Sequence, residues 1–214
     1  MAIRKIKRGS EIIFKSLKTI FFHDFIKYYP HYRSIEEFLK NSDLEKKKIS
    51  KSLDIGCGRN IRNPFKAEEY EGIDLIEEPN IIKHDIIAES LPFKDNSYDY
   101  CTAFDFLEHV PRVIIKDNST YFPFVELLNN VYRILKPNGY FLHITPAFPS
   151  KIAYQDPTHV NIITENTFPK YFCSIKNKGK RPKASMYGFN GNFTLTKQGW
   201  YKDHWIIGIL KAEK

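Results

Sequence analysis

The chain has 214 residues, 42% of them hydrophobic and 27% charged. That is enough for one domain with a full core, and no stretch offers the ~20 consecutive apolar residues that a membrane-spanning helix needs. Its three cysteines, Cys57, Cys101 and Cys173, are widely spaced, which excludes a disulfide framework or a CxxC zinc pattern and points to reduced thiols in the cytoplasm.

The formal net charge is +8, of which residues 1–52, with 13 Lys/Arg against 6 Asp/Glu, supply +7. A basic arm on a neutral body suits contact with a phosphate-rich surface, either a membrane face or an anionic substrate. A solvated helical face has the same composition and is the preferred reading. Lys15, Lys18, His23 and Asp24 interrupt every candidate apolar segment of a signal peptide.

Ile12, Ile13, Leu17, Ile20 and Phe21 fall at helical spacing over 10–22. Ser34, with Glu37 three residues on, reads as a capping box opening a second helix over 34–48. Residues 1–48 are therefore expected to form a helical extension, a cap or an arm, ahead of an α/β domain over 49–214. In that domain Lys51–Ile55, Glu69–Asp74, Ile81–Asp85, Tyr98–Phe104 and Tyr140–Thr145 read as strands alternating with helical patterns, among them Val125–Leu135. Such alternation predicts a Rossmann-like, doubly wound, mostly parallel sheet of seven strands. Phe189–Lys197 and His204–Lys211, joined by a connection containing Gly199 and Asp203, predict an antiparallel hairpin closing one edge.

The segment Ser52-Leu-Asp-Ile-Gly-Cys-Gly-Arg-Asn60 runs a buried strand into two glycines, where the chain must turn and let a ligand approach its backbone. Asp74 follows Asp54 by 20 residues, at the tip of the next strand, the spacing of an acid that accepts from ribose hydroxyls. A dinucleotide site would want a third glycine at position 61, which is Ile. An acid at Asp54, ahead of the glycines, suits a cationic sulfonium better than a pyrophosphate.

Asp54-Ile-Gly-Cys-Gly58 resembles motif I of the class I S-adenosylmethionine-dependent methyltransferases, and further segments follow in family order. They are His84-Asp-Ile86, Leu91-Pro-Phe-Lys-Asp-Asn-Ser-Tyr-Asp-Tyr100, Phe104-Asp-Phe-Leu-Glu-His-Val110 and Arg133-Ile-Leu-Lys-Pro-Asn-Gly-Tyr140. The resemblance covers about residues 50–210. It implies S-adenosylmethionine as cofactor, bound through Asp54, Gly56, Cys57, Gly58, Asp74, Leu75, Asp85, Ile86 and Phe104, with Asp74 at the ribose and Asp85 at the adenine amine. Asn60 and Asn138 stand where relatives carry glycine.

Asp105, Glu108 and His109 are spaced i, i+3, i+4, so on a helix they would share one face over the crevice where acceptors bind. With His159 as a fourth ligand they could hold Mg or Mn. The set is similar to the Glu-x-x-Glu-His cluster plus distant His of small-RNA 2′-O-methyltransferases, and to a related cluster in ubiquinone-pathway O-methyltransferases, with Asp105 giving a shorter reach than Glu. Without a metal, His109 or His159 could serve as general base, or these side chains could frame the pocket. Two histidines near the crevice, and no Asn/Asp-Pro-Pro-Tyr/Phe motif, lean toward oxygen as the methylated atom. His143 reads as core or pocket wall.

The stretches Thr145–Phe168 and Tyr187–Phe193 look like bacterial methyltransferases associated with surface-polysaccharide biosynthesis. This resemblance implies a small acceptor, such as a sugar, a nucleotide-activated precursor or a phosphorylated intermediate. RNA ribose is the alternative acceptor, sustained by the basic patch Lys176, Lys178, Lys180, Arg181 and Lys183 but lacking a basic stripe on the core. A non-catalytic subunit that binds the cofactor is a further alternative, weakened by the intact Gly56, Gly58, Asp74 and Asp85.

Overall fold

The computed structural model describes residues 29–40, 42, 44, 49–174 and 181–214. The helix expected over 10–22 and the cations Lys176, Lys178 and Lys180 lie outside them. Residues His31–Lys214 form one compact unit.

Ten strands and four helices are described: β1 (His31–Tyr32), α1 (Ile35–Leu39), β2 (Lys51–Ile55), β3 (Glu69–Asp74), β4 (Ile81–Lys83), β5 (Tyr98–Phe104), β6 (Ile114–Lys116), β7 (Ser119–Tyr121), α2 (Pro123–Ile134), β8 (Leu135–Pro146), α3 (Ile152–Gln155), α4 (Thr167–Tyr171), β9 (Phe193–Tyr201) and β10 (Trp205–Ala212). Eight form one sheet in the order β1-β9-β10-β8-β5-β2-β3-β4. Every pairing in it is parallel except those of β10 with β8 and β9. The mostly parallel α/β sheet with its C-terminal antiparallel pair is thus the one expected, enlarged from seven strands to eight by β1.

The eighth strand and α1 also move the domain boundary. Ser34 caps α1 by accepting from the Glu37 N–H at 3.0 Å, as the capping box predicts. Phe38 on that helix is fully buried beside Tyr140 and Leu142. Residues from His31 onward, expected in the extension, therefore belong to the same unit as the sheet; the helix expected over 34–48 ends at Leu39, where Lys40 is extended, and residues 41, 43 and 45–48 lie outside the described ones.

A second difference lies in the crossovers. No α-helix stands between β2 and β3, β3 and β4, or β4 and β5. Irregular chain makes these connections, and among the described residues α2 supplies the one long helix. Pro123 opens it at the first turn, where the missing N–H costs nothing. Phe124, Leu127, Leu128, Val131 and Ile134 recur at three- and four-residue spacing and are buried against the sheet.

The C-terminal hairpin is displaced by four residues at its first strand, because Gly199 pairs inside β9 with Ile207. Lys202 and Asp203, both at positive φ, make the turn instead. The hairpin β6–β7, unforeseen from the sequence, turns on Asp117 and Asn118, again both left-handed, a two-residue connection that Asn and Asp tolerate. Asn138 has φ +60°, which explains why relatives place glycine there and why Asn is an acceptable substitute.

At the centre of the sheet His143 is fully buried with neither ring nitrogen hydrogen-bonded. Burial pushes its pKa down to about 3, so it packs as a neutral ring, 3.9 Å between centroids from Phe168. Gly208 makes the space: a Cβ there would lie 2.5 Å from His143 Nε2. Gly208→Ala is expected to cost about 1–3 kcal/mol in denaturant unfolding through overpacking. Most of that loss should vanish in the His143→Ala background, and additive effects of the two substitutions would refute the contact.

Candidate active site

Strand order reverses between β2 and β5, so the loops leaving their carboxyl ends border a crevice, the usual ligand position of such sheets. Gly56 and Gly58, after β2, have φ +65° and +58°. The Gly56 N–H donates to the Ile73 carbonyl at 2.9 Å and the Gly58 N–H to Asp74 Oδ2 at 2.9 Å. The Leu75 N–H donates to Asp74 Oδ1 at 2.7 Å. The carboxylate expected at the ribose is thus fixed at the rim of the glycine loop.

A Cβ on Gly58 would meet nothing within 4 Å, whereas one on Gly56 would lie 2.3 Å from the ring of Phe106. The loop is therefore open over one glycine and covered by an aromatic ring over the other. An open glycine beside a half-buried acid suits a nucleoside-bearing cofactor.

Asp54 occupies a different place from the one its charge suggested. It is 1% exposed, accepting from the Thr102 hydroxyl at 2.6 Å and the Arg62 N–H at 2.8 Å. Burial pushes its pKa up to about 6, against the opposing pull of those two hydrogen bonds. It clamps the loop back onto β2. Arg62, absent from the sequence reading, completes the clamp by laying its guanidinium 4.7 Å over the Phe104 ring.

Cys57, Ile86 and Phe104 have buried side chains, Cys57 being tucked against Gly72. With these side chains buried, only their backbones are left to meet a ligand. Asp85 Oδ1 accepts from the Ile87 and Ala88 N–H groups at 3.0 Å each, and Leu75 is exposed.

After β5 the chain makes a 3₁₀ turn, Leu107–His109, instead of the expected helix start. The i, i+3, i+4 spacing therefore does not put three side chains on one face. Asp105, at φ +50°, turns aside and accepts from the Trp205 indole N–H at 2.7 Å. Glu108, His109 and His159 do come together, each offering one ligand atom within 4.8 Å of the others. Asp105 is not among them.

The hydrogen bonds fix how this group presents itself. Thr158 donates its hydroxyl proton to Asp156 at 2.6 Å, so its oxygen accepts from His109 Nδ1 at 2.9 Å. His159 Nδ1 faces the Ala153 carbonyl at 3.3 Å, which cannot donate. Both imidazoles, when neutral, therefore carry their lone pair on Nε2.

Glu108 is buried, with Oε2 accepting from the Thr145 hydroxyl at 2.9 Å and Oε1 unpartnered, 3.9 Å from His159 Nε2. Burial first, then the nearby Asp105 and Asp156, push its pKa up to about 7. Two imidazoles and one unused carboxyl oxygen thus come together, a set able to accept a proton or to hold a divalent cation. Thr145, Asp156 and Thr158 were not singled out from the sequence. The Asp-Pro-Thr-His run at 156–159 was the available signal.

Beside this group opens a cleft of about 810 Å³, lined by Arg112, Phe122, Phe124, Phe148, Tyr171 and Tyr187, among others. Arg112 Nε donates to Asn161 Oδ1 at 2.5 Å, and Asn161 in turn donates to the Leu107 and Glu108 carbonyls. Arg112 thus links the lining of the cleft to the backbone of Glu108, while Glu108, His109 and His159 themselves do not line it.

The methyltransferase-domain family matches residues 25–172. No curated protein matches the chain. Solved structures of the same fold include the YcgJ protein of Bacillus subtilis (14% identity, TM-score 0.51, covering 82% of this chain and 96% of that one). An S-adenosylmethionine-dependent methyltransferase from Mesorhizobium loti has the same identity and TM-score, over 78% of this chain and 93% of its own. A chain from the Haloferax volcanii complex of the Trm112 methyltransferase activator with a methyltransferase reaches TM-score 0.53 at 11% identity, covering 94% and 93%. At such identities these likenesses speak for the fold, and it is the match over residues 25–172 that shows the chain to belong to the methyltransferase-domain family.

Proposed function

We propose that the protein is an S-adenosylmethionine-dependent O-methyltransferase acting on a small hydroxylated acceptor, with His109 Nε2 as general base. The observation carrying this reading is the Asp156–Thr158–His109 chain, which leaves the lone pair of a half-buried imidazole on Nε2. The cofactor supplies an electrophilic methyl group on a cationic sulfur. Gly56, Gly58 and Asp74 would hold its nucleoside, and Asp85 its adenine. The acceptor oxygen needs its proton removed as it gains the methyl carbon. His109 Nε2 takes that proton, and Glu108 and His159 stand behind it as the polar wall. The resemblance to surface-polysaccharide methyltransferases supplies the first acceptors to screen: sugars, nucleotide-activated sugars and phosphorylated precursors.

A second reading is favoured by the same three atoms, namely a divalent cation on Glu108, His109 and His159. Three protein ligands leave positions open for an acceptor oxygen, and two nitrogens to one oxygen suit Mn or Zn better than Mg. Asp105 takes no part in this site.

S-adenosylhomocysteine at 100 times its dissociation constant is expected to add about 2.7 kcal/mol to unfolding stability, with NAD adding nothing. Labelled methyl transfer to the acceptor panel should survive EDTA if His109 is the base, and should fall with EDTA and return with Mn or Zn if the metal reading holds. Stabilisation by NAD and none by S-adenosylhomocysteine would overturn both.

A further inference from the structure

The cleft beside the Glu108 group is polarised between floor and rim. Its floor is apolar and closed: Phe124, Val125, Phe172 and Ala184 line it and are all buried. Phe124 and Phe172 meet edge to face at 5.6 Å, and Phe172 meets Phe189 at 5.1 Å, so the floor is held by interlocked rings rather than by adjustable side chains. The rim adds Val113, Phe148, Tyr171 and Tyr187, apolar side chains that are exposed at 53%, 39%, 42% and 45%. A volume of about 810 Å³ is in the range of sites that enclose a drug-sized molecule.

The charged residues lining the cleft are all of one sign: Arg112, Lys170 and Lys183, with no Asp or Glu. Arg112 is held in place by Asn161 and the Ile162 carbonyl. Lys183 sits 5.9 Å over the Tyr171 ring. Neither Lys170 nor Lys183 is ion-paired with a carboxylate among the described residues. The cations stand on exposed residues while the floor is dry.

A free sugar would leave its many hydroxyls facing phenyl rings, at the cost of unmet hydrogen bonds. A bare phosphate would leave the apolar floor unused.

Resting on the methyltransferase reading, we propose that this cleft is the acceptor pocket and that its ligand is an anionic amphiphile: an alkyl or ring body on the Phe124–Phe172 floor, with a phosphate or carboxylate at Lys170 and Lys183. Arg112, three residues after His109, and Ile162, three residues after His159, line the cleft and bring its wall next to the Glu108–His109–His159 group. Among the acceptors considered above, this favours phosphorylated compounds with an apolar portion over free sugars.

Calorimetric titration of the full chain with octyl phosphate below its micellar range, octyl glucoside, inorganic phosphate and, separately, S-adenosylhomocysteine tests this. Octyl phosphate is expected to bind at least tenfold more tightly than either octyl glucoside or inorganic phosphate. The Lys170→Ala/Lys183→Ala double variant, altered at two exposed positions, should lose at least tenfold in octyl phosphate affinity. Equal binding of octyl glucoside, no binding of octyl phosphate, or a double variant that binds unchanged would overturn the assignment. Binding of S-adenosylhomocysteine without octyl phosphate defeats the acceptor class and leaves the methyltransferase reading standing. Octyl phosphate binding without S-adenosylhomocysteine does the reverse.

Discussion

His109→Ala is expected to lower the rate of methyl transfer by ~10²–10⁴-fold, the span of a lost general base, while S-adenosylhomocysteine binds within about twofold of the parent affinity. The separation follows from geometry. His109 lies on the 3₁₀ turn after β5, whereas the glycine loop and its clamp are built by β2, β3 and Arg62. Thr158→Val removes the oxygen that accepts from His109 Nδ1 and frees the ring to rotate or to adopt the other tautomer. A smaller loss, about tenfold, is expected, and Thr158→Ser should restore the rate because it keeps the hydroxyl. A purely steric role for Thr158 predicts the opposite order, with Val the better replacement. A His109→Ala protein that methylates at the parental rate would remove His109 from the reaction.

The sequence carried the sheet and the glycine loop because both are written in local terms. Short runs of five to seven residues marked β2, β3 and β5 at their observed bounds, and two glycines at positive φ required glycine where they stood. The same local logic failed where tertiary contact decides. Asp54 before the glycines suggested charge offered to a ligand, but Thr102 and the Arg62 N–H enclose it, and that depends on where a loop folds back. Asp105, Glu108 and His109 had helical spacing, and a single residue at φ +50°, tied to Trp205 100 positions away, turned the first of them aside. His159 could be paired with His109 because one loop follows β8 and the other β5, neighbours in the sheet. The Thr158–Asp156 relay beneath that pairing has no periodic signature. Irregular crossovers in place of helices were likewise invisible to a reading that expects helices between parallel strands.

Gly56→Ala and Gly58→Ala should separate folding from cofactor binding within a single loop. Both glycines have left-handed backbones, so a Cβ at either costs about 1–2 kcal/mol in conformation alone. At Gly56 the added carbon would also lie 2.3 Å from two ring atoms of Phe106 and 2.8 Å from its Cβ. The last of these is close to the backbone and cannot swing away. Overpacking of that kind adds about 1–3 kcal/mol, bringing the expected loss for Gly56→Ala to about 2–5 kcal/mol in denaturant unfolding, with S-adenosylhomocysteine binding lost as well.

Gly58 faces open space. Its alanine variant should therefore stay within about 1–2 kcal/mol of the parent, the backbone term alone, yet bind S-adenosylhomocysteine at least tenfold more weakly, because the space above Gly58 is where the nucleoside is expected to approach the chain. Calorimetry on the folded Gly58→Ala protein isolates that term. Unchanged affinity there would mean that the cofactor does not cross the loop at Gly58, and the ribose would have to be sought along the Asp74–Leu75 edge instead.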